Sequence, residues 1–259
     1  PMSPSRTTRA TTTRCCATAA TMLRCRTVIN SEKGRGKSEE LPFGHLTFPS
    51  SLSPFPFSLI MQSTIREIKS KFRLFMNGVI SQSLREKGLQ YRLIFGIELP
   101  RIKEIAAQYE PNHELAQALW KEDIRECKIL AAYLQPVESF YPEIADIWME
   151  QIHNTELADY VCMALFRRLP YASQKAFQWM ASENRMEVYV GFRLMTHLFA
   201  LLGTEMNDRS RDEFLDQATA AMQNDDYIVK QAARSALERY ASCGEEQSAE
   251  VGHLLGEGA

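Results

Sequence analysis

From Met61 onward, apolar residues recur at spacings of three and four in segment after segment, and period-two alternation is almost absent. That pattern confines the chain to helices, each buried along an apolar stripe. In "LPRIKEIAAQY", Pro100 falls near a helix start and Ile102, Ile105 and Ala106 share a face. "NHELAQALW" follows within a few residues. "DIRECKILAAYL" offers Asp123 as a cap and Ile124, Cys127, Leu130 and Ala131 at helical spacing. "YPEIADIWMEQI", "NTELADYVCMALFRRL" and "YASQKAFQWMAS" continue the series. "NRMEVYVGFRLMTHLFALLG" stops on Gly203, and the last long segments are "DRSRDEFLDQATAAMQ" and "DDYIVKQAARSALERYASCG". Only "LQYRLIFGIEL" admits extended chain, and it reads as a loop. Helices beginning near Asp123, Asn154, Arg185 and Asp226 are spaced by 31, 31 and 41 residues, each followed by a second helix. Such spacing favours a solenoid of helix pairs over a simple bundle.

Residues 1–60 are of another kind. "SRTTRATTTRCCATAATMLRCRT" has no acidic residue, and Pro49, Pro54 and Pro56 interrupt the stretch that follows. This segment reads as a disordered extension outside the native protein, with 61–259 as the helical-repeat domain. Thr64 and Glu67 have capping-box spacing just after Met61, so the first helix is expected to begin there. The segment 1–60 holds 8 of the 30 basic and 3 of the 32 acidic residues, which leaves 61–259 at 22 basic against 29 acidic, net −7. Residues 61–130 carry 12 basic against 9 acidic, whereas 131–259 carry 10 against 20. A nucleic-acid binder of this composition needs a local basic stripe. The six cysteines show no CxxC and no histidine at ligand spacing. They are expected to be reduced thiols in a cytoplasmic protein, with no metal and no cofactor. No apolar run is long enough for a membrane span.

One helix carries a puzzle. In "HNTELADYVCMALF", Leu157, Val161, Ala164 and Leu165 form one apolar stripe, and Cys162, Met163 and Phe166 form a second that includes Asp159. A carboxylate with apolar stripe partners is not expected to be a purely solvated one. In the 31-residue register Lys128 is equivalent to Asp159, and Lys230 lies near the same place two repeats later. Such a register gives Asp159 cationic neighbours on a groove, and Arg125, Lys128, Lys230 and Arg234 would be phosphate contacts if that groove binds DNA. Arg167 and Arg168 close a helix C-terminus, where cations suit the helix dipole. Trp120, Trp148 and Trp179 sit at core spacing, as do Cys127 and Cys162. Gly191 in "VYVGF" permits close helix approach.

The segments "FGIELPRIKEIAAQY", "HELAQALWKEDIRECKILAAYL" and "NTELADYVCMALF", in that order and spacing, resemble the DNA alkylation repair family, the helical-repeat relatives of alkylpurine DNA glycosylase D. The resemblance spans about Met61 to Ser242. It implies an all-α, HEAT-like right-handed superhelix, monomeric, with double-stranded DNA on its concave face and nucleoid association in the cytoplasm. It also implies hydrolysis of the N-glycosidic bond of N3- or N7-alkylated purines, with Asp159 as the catalytic anion. A cationic purine leaves without protonation, so a carboxylate beside the oxocarbenium-like sugar is the main chemical requirement. The chain departs from the family at two tryptophans: Thr155 stands four residues before Asp159, and Ser235 or Arg234 stands in the later helix. A basic residue of the family falls near Tyr189. Two other readings stay open: a DNA-structure binder that does not cut, and a protein-interaction scaffold.

Overall fold

A computed structural model of the chain describes residues 56–203 and 206–256, with side chains from 59 onward. Its helices are α1 (Pro56–Leu74), α2 (Gly78–Glu86), α3 (Leu99–Ala106), α4 (His113–Trp120), α5 (Arg125–Leu134) and α6 (Pro142–Glu150). They continue as α7 (Thr155–Ala164), α8 (Ala172–Met180), α9 (Arg185–Leu202), α10 (Asp208–Met222), α11 (Tyr227–Ala241) and α12 (Glu245–Leu255). A 3-10 turn, Phe166–Arg168, closes α7. Among the described residues no helix is long and apolar enough to cross a membrane.

Helix starts follow local chemistry. Asn112, Asn154, Asn184, Asn207 and Asp226 each accept hydrogen bonds from the first backbone N–H groups of α4, α7, α9, α10 and α11. Gly203, with φ +69°, ends α9 as expected. "LQYRLIFGIEL" is a loop, tied by a single parallel bridge from Leu93 to Ile124. Two expected starts are corrected. Thr64 lies inside α1, its hydroxyl donating to the Ile60 carbonyl, so Thr64 and Glu67 form no capping box. The helix already runs from Pro56 in the described residues, upstream of both. Asp123 does not cap α5 either. Its carboxylate accepts the Arg92 N–H at 2.9 Å, and Ile124 holds the cap position. The segment expected to be an extension, 1–60, lies outside the described residues up to 55.

The helices form two layers. In the odd layer α3, α5, α7, α9 and α11 pack in succession, and α4, α8, α10 and α12 back onto it. The repeat is visible in bonds near 31 residues apart: Trp148 donates to Gln117 at 3.1 Å, and the Tyr171 hydroxyl donates to the Phe140 carbonyl at 2.5 Å. In the even layer Trp120 and Trp148 stack with centroids 3.9 Å apart, and Phe140 meets Trp148 edge-on. Such aromatic pairs add about 0.5–1.5 kcal/mol beyond the area they bury. All three tryptophans, Cys127 and Cys162 are buried, as expected. Gly191 lets α9 close on α8: a Cβ there would sit 2.7 Å from the Met180 nitrogen and 2.9 Å from the Ala176 carbonyl.

Candidate functional site

The face of the odd layer turned away from the even helices carries a hollow of about 320 Å³ between α7, α9 and α11. Helical spacing builds it. Thr155 and Asp159 lie one turn apart on α7, Tyr189 and Arg193 one turn apart on α9, and Tyr227, Gln231 and Ser235 line the α11 side. Asn154 fixes the start of α7 by accepting from the Leu157 N–H, which sets where Asp159 emerges.

Asp159 is held from α9. Its Oδ1 accepts the Tyr189 hydroxyl at 3.0 Å and the Arg193 Nε–H at 2.7 Å. Among the described residues its Oδ2 has no protein donor, and the side chain is 37% exposed. Burial and the Asp159 charge push the Tyr189 phenol up, so the hydroxyl stays a donor at any ordinary pH. Burial works against the Arg193 guanidinium, but Asp159 outweighs it and raises its pKa. The hollow thus presents one anionic oxygen, fixed by a phenol and a guanidinium on the other. Its walls from α7 and α11 are Thr155, Ile228, Ala232 and Ser235, with Tyr227, 72% exposed, at the rim.

Of the residues singled out from sequence, Asp159, Thr155, Tyr189 and Ser235 come together here. Of the two residues at the later-helix departure, Ser235 lines the hollow and Arg234 does not. Arg234 is exposed and pairs with Glu238 at 2.9 Å. Lys230 is half-buried on α11 and does not line the hollow. Lys128 is buried, its ammonium donating to the Trp120 carbonyl at 2.9 Å and lying 4.6 Å from that indole's centroid. It borders a smaller hollow with Lys121, His153 and Asn154, beside the start of α7. Arg125 requires a correction. Its guanidinium is buried against Glu156, Glu126 and the Ile97 carbonyl, leaving it no access to phosphate. A buried guanidinium needs such partners, and Glu156, otherwise an ordinary first-turn acid, is one of them.

Sequence reading missed Arg193 and Tyr227. Arg193 lies one turn beyond Tyr189 and 34 residues beyond Asp159, a little outside the repeat step used above. Tyr227 directly follows the Asp226 cap, a place where an exposed aromatic leaves no periodic signal.

These observations define a two-layer helical-repeat protein whose free face carries a carboxylate in a hollow. The family model for the DNA alkylation repair enzymes matches residues 67–250, and the chain belongs to that family. No curated protein matches the sequence. A solved structure described as "a new family of proteins related to the HEAT-like repeat DNA glycosylases with affinity for branched DNA structures" is similar, with a TM-score of 0.67 at 15% identity. The match covers 73% of this chain and 80% of that one. It confirms the expected all-α, HEAT-like fold.

Proposed function

We propose that the chain binds double-stranded DNA across the free face of the odd layer, seats one nucleotide at the Asp159 hollow, and recognises DNA structure without cutting it. The observation that carries this reading is the pairing of Asp159 with Arg193 at 2.7 Å in a hollow walled by Thr155 and Ser235. A paired carboxylate offers a cationic sugar much less field than a lone one, because the nearby guanidinium partly cancels it. Small polar walls also leave a deoxyribose unclamped. Exposed Tyr227 supplies a stacking face at the rim. Affinity for branched DNA in the similar solved structure supports the same reading.

A second reading rests on the open Oδ2. If an N7-alkylated purine is seated there, the C1′–N bond breaks with the pair leaving on the neutral base. Water then adds at C1′ and gives its proton to solvent, while Asp159 stabilises the sugar cation. One experiment separates the two. Full-length protein is mixed with linear duplex, four-way junction and duplex bearing N7-methylguanine, and bound DNA and released base are measured. Salt-sensitive binding with base release no faster than in buffer supports the first reading. Release that Asp159→Asn abolishes supports the second, and failure to bind any of the three overturns both.

A further inference from the structure

Toward the C-terminal ends of the odd helices that form the hollow lie cations that do not line it. Arg167 sits in the 3-10 turn that closes α7, His197 lies one turn beyond Arg193 on α9, and Arg239 is near the end of α11. The charged groups facing the half-buried His197 are Arg193 on its own helix, Arg167, Arg239 and, from α7, Asp159. Asp159 is the one carboxylate among them, and Arg193 occupies it. Among the described residues neither Arg167 nor Arg239 has a carboxylate within ion-pair distance, although α7 and its closing turn pack on α9, and α9 on α11. Arg167, His197 and Arg239 thus come from the C-terminal parts of three successively packed elements, α7 with its closing turn, α9 and α11.

Gathering like charges around an imidazole costs free energy unless an anion completes the set. The cluster stands about 6 Å along α9 from the Arg193 position, a separation that lets one DNA strand touch both. We infer that Arg167, His197 and Arg239 form a backbone-phosphate site for the DNA strand that passes the Asp159 hollow, and that its occupation brings a proton onto His197. This rests on the DNA-binding reading given above. Without DNA, burial and the three arginines hold the His197 pKa below its usual value, so the ring is largely neutral at neutral pH. A phosphate placed among these groups reverses that balance. Affinity then rises as pH falls through the histidine range, because the bound state takes up the proton first.

The test uses the full chain and a short unmodified duplex, with affinity measured over a salt series. Arg167→Gln and Arg239→Gln are each expected to flatten the slope of log affinity against log salt by about 0.9. Arg167→Lys should keep the slope, which separates charge from packing. Arg209→Gln, on α10 in the other layer, should leave it unchanged. Native affinity should rise between about pH 8 and about pH 5.5, and His197→Gln should abolish the rise. If the native protein binds but both glutamine variants keep its slope, the phosphate site is overturned and the DNA-binding reading stands. An undiminished pH response in His197→Gln overturns the proton uptake. If the native protein binds no DNA even at low salt, both readings fall together.

Discussion

Two ionic rungs join neighbouring helices of the odd layer, one repeat apart, and they differ in nearly every respect but position. Between α5 and α7, Arg125 meets Glu156 at 2.7 Å and Glu126 at 3.0 Å, with its side chain 4% exposed. Fully buried Glu126 in turn accepts the N–H groups of Phe95, Gly96 and Ile97. Every polar atom in that rung serves to hold a loop and two helices in register. Between α7 and α9, Asp159 meets Arg193 at 2.7 Å, but the rung lies beside a hollow and one carboxylate oxygen has no protein donor among the described residues. The same repeat geometry yields a closed rung where neighbouring side chains cover it. It yields an open one where Thr155 and Ser235 are too small to do so. A charged pair in a helical repeat becomes a site when the next helix leaves it uncovered.

The largest expected effect breaks the closed rung. Arg125→Met leaves Glu126 buried without its cation and should cost about 3–5 kcal/mol of folding stability. Arg193→Met, which uncovers a carboxylate that water already reaches, should cost only about 0.2–1 kcal/mol. Urea denaturation of the two variants beside the native chain measures both. Equal losses would show that the two rungs are alike and that the open one is structural.

A finer cut divides the open rung. Tyr189 is buried yet gives its hydroxyl to Asp159, so it belongs to the core and to the site at once. Tyr189→Phe keeps the ring and removes the donor. The cost should be about 1.5 kcal/mol, at the low end for a hydrogen bond to a charged group, because water can replace the phenol at Oδ1. A loss as large as that of Arg125→Met would place Asp159 among the buried structural groups and close the hollow to a ligand.

The helix series and its solenoid packing were legible because they rest on local chemistry. Asn154, Asp226 and Gly203 each announce a boundary by what one side chain, or its absence, does to the adjacent backbone. Asp159 was legible as a charge in an apolar stripe. The sequence could not show which of two arginines faces a ligand. Arg125 and Arg193 both sit on odd helices, and the difference lies in which acids the fold brings to them. Glu156 and Glu126 consume Arg125, whereas Asp159 takes only one edge of Arg193. The same limit explains Thr64. Its spacing to Glu67 is that of a cap, but the helix had already begun at Pro56, and a motif inside a helix cannot report where the helix starts. Ser235 rather than Arg234 lines the hollow for an equally non-local reason: the packing of α11 on α9 sets its rotation.

The smallest expected effect concerns pH and sets the two rungs apart once more. Near the open rung, His197 is kept from protonating by burial and by Arg193, Arg167 and Arg239, while Asp159 only partly opposes them. Its pKa is therefore lower in the folded chain than in the unfolded one. As pH falls, the unfolded chain takes up this proton first, so the contribution to stability is complete above the unfolded histidine range. It declines through that range and levels off below the folded pKa. Urea midpoints of the native chain and of His197→Gln, compared from about pH 8 to about pH 5, should show a shallower acid-side decline in the variant. Superimposable curves for native and His197→Gln would mean that the arginines do not crowd the imidazole. The proton uptake inferred for His197 would then lose its basis, while the arginines would keep their charge.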